Sequence, residues 1–144
     1  MKNCGDNVFD NISMAAGQGA LAVEVRADDP RTAELCRALD DRPTRLATTA
    51  ERAFLSALGG GCLAPVGAYG RWPAGRENMA LTGMVASPDG SRLIQRTVEG
   101  AAPQSESDAV ALGARLAELL RAEGAEEILR DIASKPTATL REGP

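Results

Sequence analysis

The chain has 144 residues and a formal net charge of −4, enough for one ordinary domain or a small domain with an appended piece. Histidine is absent, which excludes Ser–His and Cys–His nucleophile pairs and histidine-containing zinc sites. The basic residues, all arginine except Lys2 and Lys135, are scattered rather than gathered into a stripe, and no apolar run reaches the length of a membrane span, so neither nucleic acid nor a bilayer is an expected partner.

Residues 1–16 show no period, and poor order is expected there. Gly17-Gln18-Gly19 reads as a turn, and Ala20 to Val25 as a mostly buried strand. Asp29 can cap a short helix that begins at Pro30 and runs to about Leu39. A second helix starts at Pro43. It carries Leu46, Ala47, Ala50, Ala53, Phe54, Ala57 and Leu58 on one face and stops at Gly59.

Three strand candidates follow, at residues 66–72, 79–87 and 92–98. Pro88-Asp89-Gly90 supplies tight-turn chemistry, so the last two should form a hairpin; their alternation is too irregular to fix a register. Ser105 and Asp108 have the spacing of a capping box, with Asp where Glu or Gln is usual. Leu112, Leu116, Leu119 and Leu120 make a helical stripe ending at Gly124, and Ala125, Ile128, Leu129 and Ile132 suggest one more short helix. Residues 135–144 read as a disordered tail.

The expected fold class is α+β: a three-stranded antiparallel sheet with helices packed on one face, plus an N-terminal strand and connecting helices that look to another domain. The expected core is Phe54, Leu58, Leu81, Val85, Ile94, Leu112, Leu116 and Leu119.

The cysteines, Cys4, Cys36 and Cys62, are odd in number, far apart and without a C-x-x-C, so neither a disulfide framework nor a metal knuckle is supported. Cys36 is expected in or near the core. Cys62 has the unusual setting, directly after Gly59-Gly60-Gly61, where little side-chain bulk limits approach to the sulfur. On the triplet alone, a glycine C-cap followed by a small buried cysteine is the plainer reading. The pair Asp28-Asp29 could be mistaken for a catalytic dyad; helix capping accounts for it. The opening, Met1 to Asp6, lacks an apolar secretory core, and the protein is expected to be cytoplasmic.

Thr49-Ala50-Glu51-Arg52-Ala53-Phe54, Gly60-Gly61-Cys62 and Pro65-Val66-Gly67-Ala68-Tyr69 together resemble the porphobilinogen deaminase (hydroxymethylbilane synthase) family. So do Gly17 to Arg26, Ser87-Pro88-Asp89-Gly90-Ser91 and the segment Leu112 to Leu129, in family order. The resemblance implies a transferase of tetrapyrrole (haem, chlorophyll, cobalamin) biosynthesis that condenses four porphobilinogens and releases ammonia. It implies a covalent dipyrromethane cofactor on Cys62, with Gly60, Gly61, Gln18 and Gly19 lining the site.

The family's acid/base aspartate and most of its carboxylate-binding groups lie upstream of anything that matches, so no catalytic residue and no metal ligand is assigned. The implied organisation is residues 17–42 as a remnant of the family's first domain and 43–134 as its cofactor-carrying C-terminal domain. Met14-Ala15-Ala16 stands where the family has Leu-Pro-Ala, and Gly59 where it commonly has an acid. On this reading the chain is a truncated form, inactive alone, whose partners would be porphobilinogen, linear pyrrole intermediates and a complementary N-terminal fragment. The alternative is a non-catalytic remnant or binding module with an unmodified Cys62. An unpaired strand at 20–25 would favour self-association.

Overall fold

One apolar helical face organises the fold. In the computed structural model, which describes residues 15–59, 65–73 and 77–134, α2 (Arg42–Leu58) buries Leu46, Ala47, Ala50, Phe54 and Leu58 at helical spacing. Asp41 caps it, accepting the Thr44 N–H at 2.9 Å. Gly59 closes it in the left-handed conformation, at φ +70°.

The sheet beneath has strands β1 (Val66–Arg71), β2 (Asn78–Ala86) and β3 (Leu93–Ala101), antiparallel and in the order β1-β2-β3. Val85 pairs with both Val66 and Ile94, and Leu81 with Gly70 and Val98, which places these residues on the helix-covered face. The expected hairpin is β2–β3. In its turn the Asp89 carboxylate accepts from Ser87 Oγ, Ser91 Oγ and the Ser91 N–H, and these donors hold its pKa well below the usual range.

α3 (Glu106–Ala122) begins with the expected capping box. Ser105 Oγ accepts the Asp108 N–H at 3.2 Å, and Asp108 Oδ2 accepts the Ser105 N–H at 2.9 Å. α2 lies over β1, and α3 over β2 and β3. α4 (Ala125–Ser134) adds Ala125 and Ile128 to the core and is tied to β3's approach by Arg92, which pairs with Glu127 and Asp131. The opposite sheet face carries the side chains that do not face the helices. There Tyr69, Thr82 and Thr97 stand in register, with the two threonine hydroxyls 2.8 Å apart.

Several expectations are corrected. Residues 20–26 form no strand, and Leu21 and Val23 are 99% and 60% exposed. A strand must pair its backbone with a neighbouring edge, and no described strand pairs with this segment. α1 (Pro30–Cys36) is capped by Asp29 as expected, but it ends early in a 3-10 turn, Arg37–Leu39. Neither piece has a buried residue, and Cys36 is only half-buried. In α3 the core position falls on Leu120, fully buried, while Leu119 is 42% exposed; Ile94 and Leu112 are partly buried. The expectations for residues 1–14 and 135–144 lie outside the described residues.

α2 and α3 cross closely at Gly113. A methyl group there would stand 2.3 Å from the Ala50 carbonyl oxygen and 2.7 Å from the Phe54 nitrogen. Gly113→Ala should therefore destabilise the fold by about 1–3 kcal/mol despite alanine's better helix propensity. Urea unfolding measures this, and a variant as stable as the wild type would mean the helices do not approach so closely. Ser105→Ala should cost about 1 kcal/mol in the same assay through loss of the cap.

Candidate cofactor-attachment site

The chain leaves α2 at Gly59 and rejoins the described structure at Pro65, whose carbonyl accepts the Ala86 N–H at 3.0 Å just before β1. The intervening connection, residues 60–64, contains Gly60, Gly61 and Cys62, and these three lie outside the described residues. Its two anchors are described. Among the described residues, a Cβ added at Gly59 would meet nothing within 4 Å. The Arg121 guanidinium, from the last turn of α3, donates to the Ala57 carbonyl and caps that end.

Gln18 and Gly19 lie on a turn. The Gln18 N–H donates to the Ala15 carbonyl at 2.9 Å, and the Ala20 N–H to the Gly17 carbonyl at 3.1 Å. Gln18 folds back so that Oε1 accepts the Ala15 N–H at 3.0 Å, and both Gln18 and Gly19 are exposed. The turn is held against α2 at Glu51, seven residues before Leu58, hence about 10 Å along the helix from its C-terminal end. The described structure thus sets Gln18 and Gly19 beside the middle of α2 rather than at the terminus that leads toward Cys62.

Glu51 is the residue to which the sequence reading gave no role. It is the buried charged side chain of the described core, 5% exposed. Oε2 accepts the Gly17 N–H at 2.6 Å, and Oε1 accepts the Gly70 N–H at 2.7 Å. Burial pushes its carboxyl above the ordinary value; the two N–H donors and the neighbouring Arg52 pull it back less strongly. A signal was present in the sequence: Glu51 lies in the apolar arc formed by Ala47, Ala50, Phe54 and Leu58. Among the described residues no group of three histidine, cysteine or acidic side chains could hold a metal ion, and no helix is long and apolar enough to cross a membrane.

The fold and site define a two-layer α+β domain whose helix-to-strand connection carries a glycine-flanked cysteine. Residues 45–122 match the family model described as the C-terminal domain of porphobilinogen deaminase. The chain is 48% identical over 118 residues to the porphobilinogen deaminase of Brevibacillus brevis, covering 82% of this chain and 36% of that protein. It is 48% identical over 122 residues to that of Pelotomaculum thermopropionicum, covering 85% and 37%. With that of Synechococcus elongatus it shares 49% over 118 residues, covering 82% and 35%. The chain belongs to the porphobilinogen deaminase family, and it spans little more than a third of the length of these relatives.

Because the folded pKa of Glu51 exceeds the unfolded one, the native state takes up a proton first as the pH falls toward the ordinary value of 4.5. The wild type should therefore gain stability relative to Glu51→Gln, which cannot titrate, between about pH 7 and about pH 5. Thermal melts of both proteins at the two pH values give the sign. A difference that moves against the wild type on acidification would mean that Glu51 is not a desolvated carboxylate.

Proposed function

We propose that this chain is the cofactor-attachment portion of a hydroxymethylbilane synthase, the activity that condenses four porphobilinogens head to tail and releases ammonia. The observation that carries the reading is the match of residues 45–122 to the family's C-terminal domain, with Gly60-Gly61-Cys62 inside it. Cys62 would hold a dipyrromethane through a thioether, with Gly60 and Gly61 leaving its sulfur open to approach. Attachment replaces the S–H bond by a C–S bond to a pyrrole methylene; the C–N bond of the aminomethyl group breaks, and ammonia leaves with the thiol proton. The bound dipyrromethane supplies the primer on which the tetrapyrrole chain grows. Gln18 and Gly19 would present backbone amides and one amide side chain at the cleft.

Residues 17–42 then form the end of a preceding domain and 43–134 the C-terminal one. The full exposure of Leu21 and the lack of any buried residue in α1 support that division. Proton transfer to the leaving amine and clamping of the substrate's carboxylates require the family's upstream portion. We infer that, completed by that upstream portion, the protein works on porphobilinogen and linear pyrrole intermediates in the cytoplasm.

Intact mass of the chain, co-expressed with the N-terminal two thirds of a porphobilinogen deaminase in a porphobilinogen-making host, tests this. A two-pyrrole adduct that disappears in Cys62→Ser is expected, together with no consumption of porphobilinogen by the chain alone. A bare thiol in the co-expressed protein would favour a non-catalytic remnant or binding module. Turnover by the isolated chain would overturn the dependence on the upstream portion.

A further inference from the structure

A carboxylate on the apolar face of a core helix costs free energy unless its oxygens are fully satisfied. A leucine at position 51 would follow the pattern of Ala47, Ala50, Phe54 and Leu58. The two donors that satisfy Glu51 come from segments far apart in the chain, and both are glycines with a reason to be glycine. Gly17 has φ +76°. At Gly70 a Cβ would stand 2.9 Å from Met79 Cε and 3.0 Å from Ala47 Cβ. Larger residues at either point would draw the N–H away from the carboxylate. Departures from pattern that are fully supported by their surroundings mark sites where geometry is being set.

We propose that Glu51 is a positioning residue whose carboxylate pins the 15–19 turn and the β1 backbone to one point of α2, and so sets where Gln18 and Gly19 stand relative to the helix end that leads to Cys62. The importance of Gln18 and Gly19 rests on the reading given under Proposed function; the pin itself does not. The bidentate arrangement explains the choice of side chain. A glutamine offers one acceptor oxygen and turns an N–H toward the other donor, and an apolar residue satisfies neither. The charged group acting on Glu51 is Arg52, its exposed neighbour on α2. From β1, Tyr69 and Arg71 flank Gly70 on the opposite sheet face, where Arg71 lies 3.6 Å from Glu99. The 15–19 turn has no titratable side chain.

Amide NMR of the full chain tests the proposal. In the wild type, the Gly17 and Gly70 amide protons should shift together with pH and share one midpoint above the ordinary glutamate value. Glu51→Gln should abolish the shared titration, and Glu51→Asp should restore a titration to at least one of the two amides. Glu51→Leu should speed hydrogen exchange at Gly17 by about tenfold or more, the scale of a lost bond to a charged acceptor, with the Leu81 and Leu116 amides unchanged. Wild-type amides that do not titrate together would overturn the proposal even if the leucine variant fails to fold, as would unchanged Gly17 exchange in a folded Glu51→Leu. The Cys62 adduct is read separately by mass. An adduct with uncoupled amides removes the role of Glu51 and leaves the attachment reading, whereas coupled amides beside a bare thiol do the reverse.

Discussion

The close approach of α2 and α3 at Gly113 is the constraint on which the rest of the structure depends. With no side chain between them, backbone meets backbone near Ala50 and Phe54. The two helices then form a layer narrow enough to cover three strands. Phe54 and Leu116 point from the two helices toward the same place on β2, Gly83, which leaves room for both rings and methyls. A side chain at either glycine would separate the layers, and dispersion contacts fall away steeply over fractions of an ångström. Most ion pairs, by contrast, are exposed. Arg26 with Asp28 and Arg130 with Glu126 are solvated and contribute little to stability.

The elements legible in the sequence are those whose partners are close in the chain. Helix α2 could be read because its apolar positions, its cap and its terminating glycine all agree. The β2–β3 hairpin could be read because its turn chemistry is local, and the Ser105–Asp108 box because three residues suffice for it. The expected strand at residues 20–25 fails for the complementary reason. An apolar run such as Ala20-Leu21-Ala22-Val23 specifies a strand only when it pairs with another strand's edge, and no described strand pairs with it. Leu119 and Leu120 show a finer limit: adjacent leucines differ by about 100° around a helix, and the stripe alone does not say which one faces the sheet.

The candidate site divides in the same way. Local glycine and cysteine text nominated Gly60, Gly61 and Cys62, and the described anchors at Gly59 and Pro65 place the connection between a helix end and the sheet. Gln18 and Gly19 were nominated by resemblance, and the structure sets them beside the middle of α2. Glu51 could not be given a partner from sequence. Its donors lie 34 residues before it and 19 after it, and backbone N–H groups carry no signature in the text. What could be read was its misfit: one acid within an otherwise apolar arc.

The electrostatics of α2 bear on the thiol chemistry proposed for Cys62. A thiolate is the reactive form of cysteine, and a nearby positive charge favours it. The C-terminal end of a helix carries partial negative charge, which works against a second negative charge placed beyond it. Cys62 follows the cap by three residues, so the chain can carry it no more than about 10 Å away. Arg121 meets this opposition directly, since its guanidinium donates to the Ala57 carbonyl and offsets the helix end. What it offsets it does not reverse: the arginine is already engaged with that carbonyl. On the proposed reading, the C-terminal domain would carry the thiol beyond a helix end whose partial negative charge Arg121 already offsets.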